Sequence, residues 1–300
     1  MSPDLDTRQY AYAARDFERV RRLIHSRAGI ALADSKQDMV YSRLVRRLRA
    51  TGSESFQDYL DRLEQTGDAE EWQAFTNALT TNLTSFFRES HHFDSLAELL
   101  RARPRGERSL LWSAAASTGE EPYSIAMTAV EAYGSMTPPV IILATDIDTQ
   151  VLATAERGIY PLERLEKLSA ERKRRFFRRG TGANAGHCRV VDELRALIRF
   201  RPLNLLDAQW PIKGPFQAIF CRNVMIYFDK PTQLEIIGKL VPRLAPDGLL
   251  YAGHSESFFH AAHLIRPLGR TIYTATGSAA RPASARRPLP ARPELSESAG

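Results

Sequence analysis

The sequence has 300 residues, 43% of them hydrophobic and 25% charged, values of a folded chain that can bury a core without metal or disulfide support, unlike a disordered or fibrous one. No apolar run approaches the roughly 20 residues that cross a bilayer, and the opening MSPDLDTRQY lacks a basic segment leading into an apolar one, so a cytoplasmic protein without direct membrane insertion is expected. A net charge of +6 points to an acidic partner, without choosing among nucleic acid, anionic membrane and protein.

Residues from about 10 to 100 read as helices. Apolar positions recur at spacings of three and four, as in Val40, Leu44 and Leu48 beside Tyr41 and Val45, and the opposite side carries Arg43, Arg46, Arg47 and Arg49. Ala33-Asp34-Ser35 offers N-cap side chains for that helix and Gly52 follows its end. The pair Phe86-Phe87 reads as core, and His91-His92 stands without a third ligand in view, so no metal is expected there. The sequon-like Asn82-Leu83-Thr84 is coincidental in a cytoplasmic protein.

From Ser109 onward short apolar runs alternate with amphipathic stretches: SLLWSA, EPYSIAMTAVEAY, VIILATD, DTQVLATAERG, then ALIRFRPLNLL, FQAIFCRN, TQLEIIGKLVPRLA and GLLYAGHSES. This order predicts an α/β fold with a parallel sheet covered on both faces. A segment with Gly180, Gly182 and Gly186 followed by HCRVV interrupts the series and reads as an inserted hairpin-like subdomain. Cys188 and Cys221 have no CxxC spacing and read as structural. After Ala275 a Pro, Ala, Arg and Ser-rich tail has too little apolar bulk to offset its ordering entropy, and disorder is expected.

In such a sheet ligands bind beyond the carboxyl ends of the strands. After SLLW, the tiny residues Ser113 to Gly119 let a ligand lie close to backbone; a tight turn alone would need fewer of them. Asp146, at the tip of VIILATD, suits the ribose hydroxyls of a nucleoside, whereas Asp148 is better placed to cap the next helix. Without GxGxxG there is no pyrophosphate cradle, so a phosphate-free nucleoside such as S-adenosylmethionine fits better. Asn204-Leu205 either pairs with and sandwiches an adenine or is a plain polar turn. Cys221 to Tyr227 brings Arg222, Asn223 and Tyr227 to the same edge, where a buried Arg and Asn need partners.

The strings TTNLTSFFRE, WSAAASTGEEPYSIA, ATDIDTQVL, FCRNVMIYFD and PDGLLYAGHSES, in this order and up to about Thr276, resemble the CheR family of chemotaxis protein methyltransferases. The resemblance implies an all-α N-terminal domain (13–90, with a linker) after a disordered start (1–12). A seven-stranded, Rossmann-like S-adenosylmethionine methyltransferase domain (91–275) follows, with an inserted β-subdomain at about 176–200, and then a disordered tail (276–300). It implies that Asn82, Thr84, Arg88, Glu121, Asp146, Asn204, Leu205, Arg222 and Asn223 contact S-adenosylmethionine, with S-adenosylhomocysteine as product, and that Arg88 and Tyr227 stand by the methyl-transfer position. It further implies an acidic receptor helical bundle against Arg43, Arg46, Arg47 and Arg49, and a receptor C-terminal peptide tether at Gly180, Gly182 and Gly186. The implied activity is methyl esterification of glutamate side chains on membrane-bound chemotaxis receptors; a monomer is the default expectation. Two other readings stand beside it. A nucleic-acid methyltransferase is disfavoured because CRNVMIYF occupies the place of a Pro-rich aromatic turn, and a non-catalytic receptor adaptor is disfavoured by intact Arg88, Asp146 and Tyr227.

Overall fold

The computed structural model describes residues 9–104 and 106–277. Four helices form an N-terminal bundle: α1 (Ala14–Ala28), α2 (Gln37–Thr51), α3 (Phe56–Thr66) and α4 (Ala69–Leu79). Their apolar stripes close one core from Phe17, Val20 and Ile24, Val40, Leu44 and Leu48, Tyr59 and Leu63, and Phe75 and Leu79. The i, i+4 spacing of the α2 residues turns them inward together. Gly52 ends α2 in the left-handed conformation as expected, but the helix begins at Gln37, after a 3-10 turn over Asp34–Lys36, and Lys36 at its N-cap position makes no side-chain cap. The start expected at 33–35 is therefore about one turn early, because those residues form the tighter turn that leads in.

The predicted disorder of residues 1–12 fails at its last four positions. The Tyr12 ring packs tilted against Phe56 with centroids 4.5 Å apart and the Tyr10 amide donates to the Tyr41 hydroxyl at 3.3 Å, so aromatic packing orders this stretch. The tail expected from 276 lies outside the described residues except for Thr276, whose amide donates to Leu264 O at 2.9 Å, and Gly277.

The second domain begins with α5 (His91–Arg101) and alternates through β1 (Ser109–Ser113), α6 (Glu120–Tyr133), β2 (Val140–Asp146) and α7 (Thr149–Arg157). Then come β3 (Ile159–Pro161), α8 (Ala170–Phe176), β4 (Phe177–Arg179), β5 (His187–Val190), the short α9 (Asp192–Arg195) and β6 (Ile198–Pro202). The chain continues with β7 (Phe216–Phe220), α10 (Lys230–Leu240), β8 (Leu244–Tyr251), β9 (Ile265–Gly269) and β10 (Ile272–Ala275). The large sheet has seven strands in the order β6-β2-β1-β7-β8-β10-β9, parallel through β8 and antiparallel at β10 and β9. All five β7 residues are buried, as expected of a strand with helices on both faces. One face packs on α5 and α6 and the other on α10, giving two cores separated by the sheet.

The small sheet, β3-β5-β4, is antiparallel. It recruits Ile159–Pro161 from before the expected 176–200 segment and ends at Val190, and Ile198–Pro202 belongs to the large sheet instead. Three residues with a proline carry little strand signal, and pairing with His187–Arg189 is what makes β3 a strand.

Register sets the functional edge. Ser113 pairs with Ala144 of β2 and Phe220 of β7, Asp146 with Pro202 of β6, and Phe220 with Tyr251 of β8, so five strand ends emerge at one level.

Candidate functional site

Beyond those strand ends lies one cleft. Its floor is Ala114, Ala115, Ser117 and Glu121 after β1, Asp146 and Ile147 after β2, Leu203, Asn204 and Leu205 after β6, and Arg222, Asn223, Val224, Tyr227 and Phe228 after β7. Its opposite wall is Ala28 and Ile30 to Ala33, Lys36 and Met39 of the helical domain, together with Leu79 to Ser85 and Arg88. Thus Asn82, Thr84, Arg88, Glu121, Asp146, Asn204, Leu205, Arg222, Asn223 and Tyr227 all line the same space.

Asp146 is buried, and each carboxylate oxygen accepts one backbone N–H: Oδ2 from Ser117 at 2.8 Å and Oδ1 from Asp148 at 2.9 Å. A carboxylate has about four acceptor sites, so lone pairs remain for two hydroxyl donors. Burial pushes its pKa up to about 6, opposed by those N–H groups. Ala114, Ala115 and Ser117 keep the approach open beside it, and Leu203, Leu205 and Ile147 offer apolar surface for a base. Ser117 reaches φ 48 and Gly119 φ 100, and a Cβ at Gly119 would meet the Tyr160 hydroxyl at 2.7 Å, so glycine is required there on both counts. This set of groups fits a nucleoside that carries no phosphate.

Asp148 caps α7 by accepting from Gln150 N at 2.9 Å and Val151 N at 3.2 Å, the role its position predicts. Its other oxygen accepts from Thr80 Oγ1 at 2.7 Å and Asn82 Nδ2 at 2.9 Å. One carboxylate therefore caps a helix and fastens the interdomain linker, and the Asn82 amide nitrogen is engaged with protein.

Arg222 is enclosed, its side chain 1% exposed. One guanidinium nitrogen donates to Glu121 Oε2 at 2.9 Å, while another reaches Glu89 Oε2 at 3.2 Å and the Arg88 carbonyl. Glu121 also accepts from Ser113 Oγ at 2.7 Å; burial raises its pKa against the pull of Arg222. Burial also acts upward on Glu89, but Arg222 and the His254 N–H outweigh it and the pKa is lowered. These are the partners that a buried Arg needs: two carboxylates and a carbonyl engage two of its nitrogens, and it braces Glu121 and the main chain at Arg88 while still lining the cleft. Asn204 is likewise engaged with protein at the edge of the cleft. Its Nδ2 donates to Arg27 O at 2.8 Å and its Oδ1 accepts from Leu206 N at 3.0 Å, so the side chain closes a turn, the plainer of its two readings, and ties the end of α1.

Arg88 donates to Leu83 O at 3.1 Å and is half-buried at the cleft. Tyr227 sits in the 3-10 turn Met225–Tyr227, where its carbonyl accepts from Ala31 N at 3.2 Å. His92 is buried with its pKa pushed down to about 3, first by burial and then by Arg222, so it is neutral, and its Nε2 lies 3.0 Å from Arg270 O. Phe86 is core as read, and Phe87, half-buried against the same core, takes φ 52 and packs under the Arg172 guanidinium at 3.9 Å.

The four arginines of α2 do not form one free face. Arg47 pairs with both oxygens of Glu71, which also accepts from the Tyr59 hydroxyl, and Arg43 donates to Ala78 O and Thr80 O at the end of α4. Arg46 and Arg49 are exposed, Arg49 with a bond to Gln9. The separation follows from helix geometry, since 43 and 47 are four apart and turn to α4 while 46 and 49 turn away. Gly180, Gly182 and Gly186 shape the β4–β5 connection: a Cβ on Gly180 would meet Asn184 O at 2.2 Å, and the other two have φ of 57 and 87.

Several site residues escaped the sequence reading. The wall from Ile30 to Met39 carries no motif and reaches the cleft by domain packing; Gly29 is its one signal, where a Cβ would meet the Phe228 ring at 2.8 Å. Glu256, inside GHSES, is buried and accepts from the main chain around Asn223. Among the described residues no helix is long and apolar enough to cross a membrane.

A family profile described as "CheR methyltransferase, SAM binding domain" matches residues 82–274, and one described as "CheR methyltransferase, all-alpha domain" matches residues 15–80. Among similar proteins, "Chemotaxis protein methyltransferase 2" of Pseudomonas aeruginosa is 56% identical over 274 residues, covering 91% of this chain and 97% of that protein. "Chemotaxis protein methyltransferase" of Escherichia coli is 53% identical over 267 residues, covering 89% and 93%. That of Vibrio parahaemolyticus is 39% identical over 249 residues, covering 81% and 88%.

Proposed function

The chain belongs to the CheR methyltransferase family and is an S-adenosylmethionine-dependent methyltransferase, and from that premise we propose that it esterifies glutamate side chains on the cytoplasmic helical bundle of chemotaxis receptors. The observation that carries the reading is the pairing of Asp146 at the strand ends with Arg88 from the linker in one cleft. A donor-holding carboxylate and an acceptor-holding cation then face one space.

The donor supplies a sulfonium methyl, an electrophile that needs no activation. A glutamate carboxylate, with a reference pKa of about 4.3, is already ionised near pH 7, so no general base is called for. The protein's task is alignment and exclusion of water. In this reading Asp146 accepts from the ribose hydroxyls, and Leu203, Leu205 and Ile147 enclose the base. Arg88 orients the incoming carboxylate through a charge-assisted hydrogen bond, and Tyr227 limits its approach. Arg222 and Glu121 act from behind by fixing the main chain at Arg88.

The exposed Arg46 and Arg49 would steer the acidic receptor bundle, and the β4–β5 turn with Gly180, Gly182 and Gly186 would accept a receptor C-terminal peptide. The protein would act as a monomer in the cytoplasm. Incubation with radiolabelled S-adenosylmethionine and a receptor cytoplasmic domain tests the assignment: label released as methanol by mild base supports it. Label that resists base, or that enters RNA instead, overturns it.

A further inference from the structure

The turn after β7 carries Asn223 and Tyr227 into the cleft, and its main chain has an uncommon shape. Asn223 lies at φ 57, a left-handed conformation that a non-glycine residue holds only when its surroundings enforce it. Three consecutive N–H groups of this turn converge on one carboxylate from the loop between β8 and β9. Glu256 Oε2 accepts from Asn223 N at 3.0 Å, and Oε1 accepts from Val224 N at 2.9 Å and Met225 N at 2.8 Å. A fourth N–H, from Gly253, reaches Oε2 at 2.5 Å.

Converging N–H dipoles make an anion-binding hollow, and without an anion inside they repel one another. Glu256 fills that hollow from within the chain. It is 4% exposed, and among the described residues no Lys or Arg pairs with it, so main-chain donors supply its compensation. Gly253 closes the other side: a Cβ there would meet Asn223 Nδ2 at 2.2 Å.

We propose that Glu256 is a positioning residue of the methyl-donor site: its carboxylate holds the 223–227 turn in the shape that sets Asn223 and Tyr227 in the cleft. Glutamine cannot replace it, because its amide has one oxygen and would turn an NH₂ toward two of the four donors. The inference depends on the donor site and not on the identity of the methyl acceptor. Donor-product binding needs no acceptor, so the two readings fail separately.

Calorimetry of the full chain with S-adenosylhomocysteine resolves Kd from the fraction of competent sites, and a merely structural residue moves only the second. Glu256→Gln is expected to weaken Kd at least tenfold in the folded fraction, with Glu256→Asp intermediate. Gly253→Ala, which presses on Asn223 without touching the carboxylate, is expected to weaken it in the same direction. Phe258→Leu thins the packing of the same loop and is expected to lower the Tm while leaving Kd within twofold. Wild-type Kd in the folded fraction of Glu256→Gln, or an equal weakening in Phe258→Leu, overturns the proposal. If Glu256→Gln does not fold, Glu256→Asp and Gly253→Ala decide on the same criterion.

Discussion

Asp146 works against its own environment. Burial raises its pKa to about 6, yet a ribose hydroxyl donates best to the ionised form. The sign follows directly: protonation competes with binding below the folded pKa and not above it. S-adenosylhomocysteine affinity should therefore be flat from pH 7 to 8 and fall about tenfold per pH unit well below 6, a single-proton linkage. Calorimetry across that range checks it, and a flat profile down to pH 5 removes Asp146 from the contact. At Arg88, replacement by Ala should cost about 100-fold in kcat with little change in donor-product Kd if, as proposed, the guanidinium acts on the acceptor. Initial-rate assays with calorimetry separate the two effects. The placement of both at the cleft is legible in the sequence, that of Asp146 from its position at a strand end and that of Arg88 only through the resemblance, since a lone arginine before a sheet has no pattern of its own. That Arg222 needs partners and that Asn204 can close a turn is legible too, but the partners themselves are not. Their partners, Arg27, Glu89 and Glu121, lie far from them along the chain and meet them only in the folded state.

Among elements, α2 divides its arginines by face, and the two faces predict different phenotypes. Arg46→Ala with Arg49→Ala should lower receptor affinity in a salt-dependent way and leave the Tm within about 2 °C. Arg47→Ala should instead lower stability by about 1–2 kcal/mol, because it leaves Glu71, with a side chain 16% exposed, without its guanidinium. Thermal unfolding and receptor pull-down at two salt concentrations distinguish them. The periodicity of α2 shows that its arginines lie opposite the apolar stripe, but not that α4 runs along one flank of it. The small sheet is a similar case: β5 reads as a strand from HCRVV, whereas β3 exists only because β5 lies beside it. Elements with their own periodicity are readable, and elements defined by a partner are not.

At the scale of the molecule, the two domains are stitched beside the cleft by side chains that do not line it. Gln73 Nε2 donates to Ile147 O at 2.8 Å and Asn77 Nδ2 to Thr149 Oγ1 at 3.1 Å, holding α4 to the start of α7. If the cleft depends on this seam, Gln73→Ala with Asn77→Ala should weaken donor-product binding about three- to tenfold, equivalent to one or two net hydrogen bonds, with no direct contact removed. Saturating S-adenosylhomocysteine at about 100 times Kd should stabilise the wild type by about 2.7 kcal/mol and the double variant less at the same ligand concentration.

The seam also limits how such proteins can be recombined. The two matched family segments meet around residue 81, and the cleft draws on Ile30 and Met39 before that point and on Thr84 and Asp146 after it. A chimera cut at residue 81, joining the helical half of one relative to the catalytic half of another, would divide the binding pocket itself. The grafts that work should be those that carry the contacts of Asp148 with Thr80 and of Asn204 with the end of α1 as one inherited block.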